Sequence, residues 1–248
     1  MDYLLEDFQE LGNTKPIKRC FKHALSNTDK ELFGIFKFSE HNYNYDFKPL
    51  ENLNTTNKYI FQSKNSEFYK DYLNGNVISL FHTHTTRCSE PSDIDIEISE
   101  SLGLPSYVFS PSAKSHFLYY TKSYIPNKLY GRIFIPFFQD CVSFVRDFYL
   151  INFKFKFNYI KNWARDNKNS NYKLLNQIKK YFKEISIQSI SYGDLIVFEP
   201  TLSPFMHLGI FNRENRFSHH PVGGSPVDQL FDEQIRKKVY KVYRYKDL

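Results

Sequence analysis

Two stretches of this chain hold side chains whose types and spacing could do chemistry together. In VISLFHTHTTRCSEPSDID, His82, His84, Ser92 and Asp95 follow the spacing H-x-H-x7-S-x2-D. Histidines at i and i+2 on the end of a strand point to one side, so both imidazoles can reach a single cation. Asp95, at the start of a following helix, would add a third ligand and leave one tetrahedral position open. That open position marks a catalytic rather than a structural zinc site. Zinc there would acidify a water and polarise a carbonyl, while a nearby carboxylate takes the proton and a donor meets the oxyanion. Ser92 is placed for the donor role.

The second stretch is YGRIFIPFFQDCVSFVRDFY, residues 130–149. Asp140 can cap a helix whose first turn holds Cys141, where unpaired backbone N–H groups and the helix dipole favour a thiolate. Further on, GDLIVFEPTLSPFMHLGIF brings a Gly-Asp before a strand, a loop, and His207 opening the next strand. That imidazole is the base a cysteine nucleophile needs. On RFSHH, His219 could orient the first imidazole, while the adjacent His220 points to the opposite face of a strand.

The elements that must hold these groups read as a mixture of helix and strand. Helical spacing covers residues 17–29, 65–74 and 93–102, the last stopping at Gly103. Strands are expected at 33–38 and 76–81 and in PSYVFSP and HFLYYTK, with an Asn-rich loop or hairpin at 42–57. Pro126 breaks the pattern between Lys122 and Tyr130, so the expectation is two domains, 1–122 and 123–248. In the second, a helix at 141–151 and a polar helical region to about Glu184 precede strands at 193–199, 207–211, 216–220 and 238–245. The expected fold class is α+β.

Hydrophobic content of 41% and aromatic content of 18% suffice for two packed cores. The net charge of +6 is mild and scattered, and the cluster Lys179, Lys180 and Lys183 reads as a solvated helix face, so no nucleic-acid partner is expected. Three cysteines, Cys20, Cys88 and Cys141, make no even disulfide framework and point to a reducing compartment. The start, MDYLLEDFQE, lacks the basic flank and apolar core of a signal peptide, and no stretch suits a transmembrane segment.

The first motif resembles that of the JAMM (MPN-type) metallopeptidases, whose fold is a mixed sheet flanked by helices. The resemblance implies zinc on His82, His84 and Asp95, and it makes Glu31, set with Gly34 in E-x-x-G, the general base. Thr85 stands where many members carry Pro. The second motif resembles the NlpC family of papain-like cysteine peptidases, with Cys141 as nucleophile, His207 as base and His219 as third residue. The two in tandem, with S-x-G-L-P after the metal motif and GR-x-F and R-D-F-Y around the thiol, are similar to the tail-tip assembly proteins of lambda-like long-tailed phages. That resemblance implies a hydrolase in the virion tail tip, made in the host cytoplasm. Its partners would be other tail-tip proteins and peptidoglycan stem peptides, which the NlpC-like half would cut typically at γ-glutamyl to diamino-acid bonds, while the resemblance names no substrate for the JAMM-like half. The competing class is a structural tail-tip component whose zinc and thiol sites serve folding or assembly.

Overall fold

The computed structural model describes residues 15–39, 45–51, 65–113, 115–124, 126, 128–135, 138–156, 170–200 and 206–248. They form two compact units divided between residues 125 and 126, against the expected 122 and 123. Each unit combines a sheet with helices, and the chain is α+β. No helix among the described residues is long and apolar enough to cross a membrane.

In the first unit, α1 (Lys15–Ala24) buries Ile17, Cys20, Phe21 and Ala24, a stripe at i, i+3, i+4 and i+7. The helix stops short of the expected residue 29. There Ser26 Oγ bonds the His23 carbonyl and Asn27 Oδ1 takes the Asp29 N–H, polar side chains competing for backbone partners. Strands β1 (Phe33–Phe38) and β2 (Tyr45–Leu50) pair antiparallel. Helix α2 (Asn65–Leu73) leads into β3 (Val77–Thr83), which runs two residues beyond the expected 81 and so includes His82. Helix α3 (Asp93–Leu102) connects β3 to β4 (Ser106–Ser110), and β5 (Ser115–Tyr119) follows. The strand order is β2-β1-β3-β4-β5, with β3 and β4 parallel and the other pairs antiparallel. Helix α3 ends as expected at Gly103, whose φ of 66° favours glycine.

In the second unit, α4 (Cys141–Phe153) packs against a six-stranded antiparallel sheet of order β10-β9-β8-β7-β11-β6. Its strands are β6 (Phe182–Ile185), β7 (Leu195–Phe198), β8 (His207–Phe211), β9 (Arg216–His219), β10 (Val227–Leu230) and β11 (Val239–Tyr245). Helix α5 (Ser170–Tyr181) hands directly into β6, so the expected helical region ends early. Residues 182–185, FKEI, bury Phe182 alone and carry no alternating pattern, because β6 is an edge strand. The other edge, β10, has every residue exposed, and the short helix α6 (Glu233–Arg236) follows it. Neither carries an apolar signal.

Candidate metal centre and thiol site

The end of β3 carries His82, and His84 follows just beyond it, with Thr83 between them. Thr83 N–H bonds the Leu32 carbonyl at 2.9 Å, and Leu32 N–H bonds Thr83 Oγ1 at 2.9 Å. Phe33 pairs with His82 across the β1–β3 ladder. Just beyond the paired residues, Glu31 and His84 act on each other electrostatically.

The three expected ligand side chains then meet, Asp95 facing each imidazole with a different carboxylate oxygen. His82 Nε2 lies 3.1 Å from His84 Nε2 and 3.2 Å from Asp95 Oδ1, and His84 Nε2 lies 3.3 Å from Asp95 Oδ2. Bonds of about 2.0–2.1 Å at tetrahedral angles separate neighbouring ligands by about 3.3 Å, and one nitrogen or oxygen from each of these side chains lies within 4.8 Å of the others, close enough to hold a metal ion. Among the described residues this is the group of His, Cys, Asp and Glu side chains close enough to hold a metal. The Nδ1–H of His84 is held by the Cys88 carbonyl at 2.9 Å, which leaves Nε2 as the lone-pair nitrogen. His82 is buried and stacks on Phe33 at 5.5 Å.

Asp95 is positioned by the helix that begins beside it. Ser92 is the N-cap of α3 in a capping box: its Oγ accepts from Asp95 N–H at 3.3 Å, and its own N–H donates to Asp95 Oδ2 at 2.7 Å. The Ser92 hydroxyl also donates to Asp95 Oδ2 at 2.7 Å. It acts here as a clamp on Asp95, the third expected ligand, and serving an oxyanion would require it to release that carboxylate. Burial works against charge on Asp95, but His82, His84 and Ser92 outweigh it and hold the carboxylate far below its ordinary range. Burial likewise opposes charge on His84, yet Asp95, the Cys88 carbonyl and Glu31 raise its pKa. Glu31 has no such clamp. Burial lifts its pKa to about 7, with His84 pulling down and Asp95 pushing up, so it shares this electrostatic field and is poised to exchange a proton near neutrality.

In the second unit, Asp140 caps α4 by accepting from Val142 N–H at 3.0 Å and Ser143 N–H at 2.9 Å, which puts Cys141 at the first helical position, half-buried. Helix α4 packs on β8 and β9, the strands that carry the two expected imidazoles. His207 Nε2 lies 2.7 Å from His219 Nδ1, the rings meeting edge to face. Burial, then the neighbouring His219 and His220, lower the His207 pKa to about 3, so the ring is neutral near neutral pH. His220 goes elsewhere. Its Nε2 bonds the Gly224 carbonyl at 3.1 Å, its ring meets Phe134, and it feels the charges of Arg132 and Asp140. Cys20 is buried and Cys88 contributes its carbonyl to His84, so neither joins a thiol site.

The flanks of the thiol motif prove to be scaffolding. Arg132 and Arg146 both pair with the fully buried Asp147, at 2.6 and 2.7 Å, tying the segment before α4 to the helix itself. Gly193 takes a φ of 87°, and a Cβ there would meet the Phe153 ring at 2.7 Å. Asp194 is buried and accepts from Arg244 Nε at 2.8 Å and Ser191 N–H at 2.7 Å, fixing the corner that starts β7. These roles lay hidden in the sequence because their partners are distant, and the Cys88 carbonyl, a backbone group, leaves no sequence signal. No protein-family model matches the chain, and no curated protein matches it.

Proposed function

We propose that the protein is a hydrolase with two peptidase sites: a JAMM-type zinc site in the first unit and an NlpC-type thiol site in the second. The observation that carries the reading is the meeting of His82, His84 and Asp95 within reach of one cation, with Glu31 in their electrostatic field. Zinc bound there would acidify a water and polarise the scissile carbonyl. Glu31 would take a proton and return it to the leaving nitrogen, its near-neutral pKa suiting both transfers. Ser92 would keep Asp95 oriented.

In the thiol half, His207 would remove the Cys141 proton as Sγ attacks the peptide carbonyl. The leaving amine would take that proton, and water would then cleave the thioester. His219 would hold the His207 ring through the contact at 2.7 Å. The substrates would be peptidoglycan stem peptides, in keeping with a phage tail-tip protein that acts in tail assembly or infection beside other tail-tip proteins. The engagement of the Ser92 hydroxyl with Asp95 favours one other reading, a structural tail-tip component in which zinc is a staple.

One experiment separates them. The full chain is analysed for zinc and incubated with purified muropeptides, beside His84→Ala and Cys141→Ala. About one zinc per chain, lost in His84→Ala, and digestion abolished in Cys141→Ala are expected. Zinc without any hydrolysis would leave the structural reading, and undiminished digestion by Cys141→Ala would remove the thiol mechanism.

A further inference from the structure

The pair of imidazoles in the second unit has a loose end. His207 Nε2 lies 2.7 Å from His219 Nδ1, so one proton is shared between two neutral rings. Which ring owns it decides whether His207 can act as a base. With its Nε2 engaged, His207 has Nδ1 left to take a proton from Cys141. A neutral ring keeps that lone pair only when its own proton sits on Nε2. His219 Nδ1 must then accept, which places the His219 proton on Nε2. In the opposite arrangement His219 donates from Nδ1, the His207 proton moves to its own Nδ1, and the base is disabled. The tautomer of His219 therefore sets that of His207.

His219 Nε2 is buried without a hydrogen-bond partner. A buried N–H is costly to leave unmatched, so an acceptor at this atom would favour the productive tautomer. The strand register narrows the choice of acceptor. Val227 of β10 pairs with His219 and Gln229 pairs with Phe217, which sets Gln229 on the face of the sheet that carries Phe217 and His219. The His219 ring stacks on Phe217 at 4.9 Å. Asp228 turns to the other face, where it accepts from the Tyr130 hydroxyl at 3.0 Å, and His220 Nε2 is engaged with the Gly224 carbonyl. Gln229 is thus the polar side chain that β10 offers on the His219 side. It acts on His219 in the sense expected of an amide oxygen: burial lowers the His219 pKa, and Gln229, then Asp228, draw it back up. Gln229 is exposed on an edge strand, so a side-chain rotation can bring its Oε1 onto Nε2 without moving the core.

We propose that Gln229 is a positioning residue of the thiol site: its side-chain carbonyl accepts the His219 Nε2–H and so keeps His207 in the tautomer that can take a proton from Cys141. The role in catalysis rests on the thiol site being a peptidase, but the tautomers can be read without turnover. Nitrogen–proton correlation spectra of the full chain with isotope-labelled histidine report them, with His207→Ala and His219→Ala assigning the signals. In wild type both rings should be protonated on Nε2. Gln229→Met keeps the length of the side chain but removes the acceptor. It should raise the Nδ1–H form of both rings and lower kcat on purified muropeptides on the order of tenfold, the worth of one buried hydrogen bond, with KM little changed. Gln229→Glu restores an acceptor oxygen and should recover the wild-type tautomers and most of kcat. Wild type with His219 protonated on Nδ1 would overturn the proposal before any variant is made. Unchanged tautomers in Gln229→Met would overturn the assignment to Gln229, and shifted tautomers with an unchanged kcat would overturn the link to the base. A wild type that cuts no muropeptide would overturn the peptidase reading, and the tautomers would still decide whether Gln229 holds His219.

Discussion

Ser92→Ala removes one oxygen that makes two hydrogen bonds to Asp95, one to its backbone at 3.3 Å and one to its carboxylate at 2.7 Å. The first is the N-cap of α3, and losing such a cap costs about 1 kcal/mol. For a unit of this size that corresponds to roughly 4 °C in melting temperature. The second orients the carboxylate, and deleting an outer partner of a metal ligand typically weakens binding by about 10–100-fold. The Ser92 N–H still holds Asp95 Oδ2 at 2.7 Å after the substitution, so a loss near the lower end, about tenfold, is expected. An oxyanion donor would behave otherwise, lowering kcat by about 10²–10³-fold with zinc affinity untouched. Apo protein titrated with zinc against a chromophoric chelator measures the affinity, and melts with and without zinc measure the cap. Ser92→Thr, which keeps the hydroxyl, should recover most of both. Zinc affinity within twofold of wild type in Ser92→Ala would refute the clamp.

Glu31→Gln should keep its zinc by elemental analysis and lose peptidase activity; loss of the metal would make Glu31 a ligand instead. His207→Ala should abolish muropeptide hydrolysis and His219→Ala should reduce it less, because an orienting ring assists the base without carrying the proton. Equal losses would assign His219 a direct part in proton transfer. Stability should depend on acid through His207: unfolded, its imidazole protonates near 6.5, while burial and its neighbouring histidines hold the folded pKa to about 3. Between those values the unfolded chain binds the extra proton, so the melting temperature should fall as pH drops from about 6.5 towards 4. His207→Gln should flatten that slope, and an unaltered slope would show that other groups set it.

The parts of the fold legible in the sequence are those with a strong local period or a cap. Helix α3 could be read from its spacing and its stop at Gly103, a cap whose chemistry is local, while the capping role of Ser92 at its start emerges only from the structure. Strands β7, β8 and β11 bury apolar residues and stand out for that reason. Edge strands β6 and β10 expose nearly everything they carry, so burial leaves no imprint on their sequence. The histidines and Asp95 could be read from spacing because adjacent elements deliver them. Ser92 shows the limit of that method: spacing put it beside the centre, but only its partners reveal which way its hydroxyl turns. The long-range ion pairs of Arg132 with Asp147 and Arg244 with Asp194 had no local signal at all.

The two bonds between Leu32 and Thr83, one backbone to backbone and one from the Leu32 N–H to the Thr83 hydroxyl, make the candidate metal centre indifferent to most of the chain that separates its parts. Glu31 and His84 flank the Leu32–Thr83 bonds and the Phe33–His82 pair, and take their relative positions from that pairing rather than from the path connecting them. Insertions or deletions in the connecting loops between β1 and β3 should therefore leave Glu31 and His84 in place. A single residue added between Glu31 and Phe33 should do the opposite, turning the carboxylate to the other face of the sheet. For anyone grafting or shuffling this unit, the ladder is the part to preserve, and the connecting segments are where length can change.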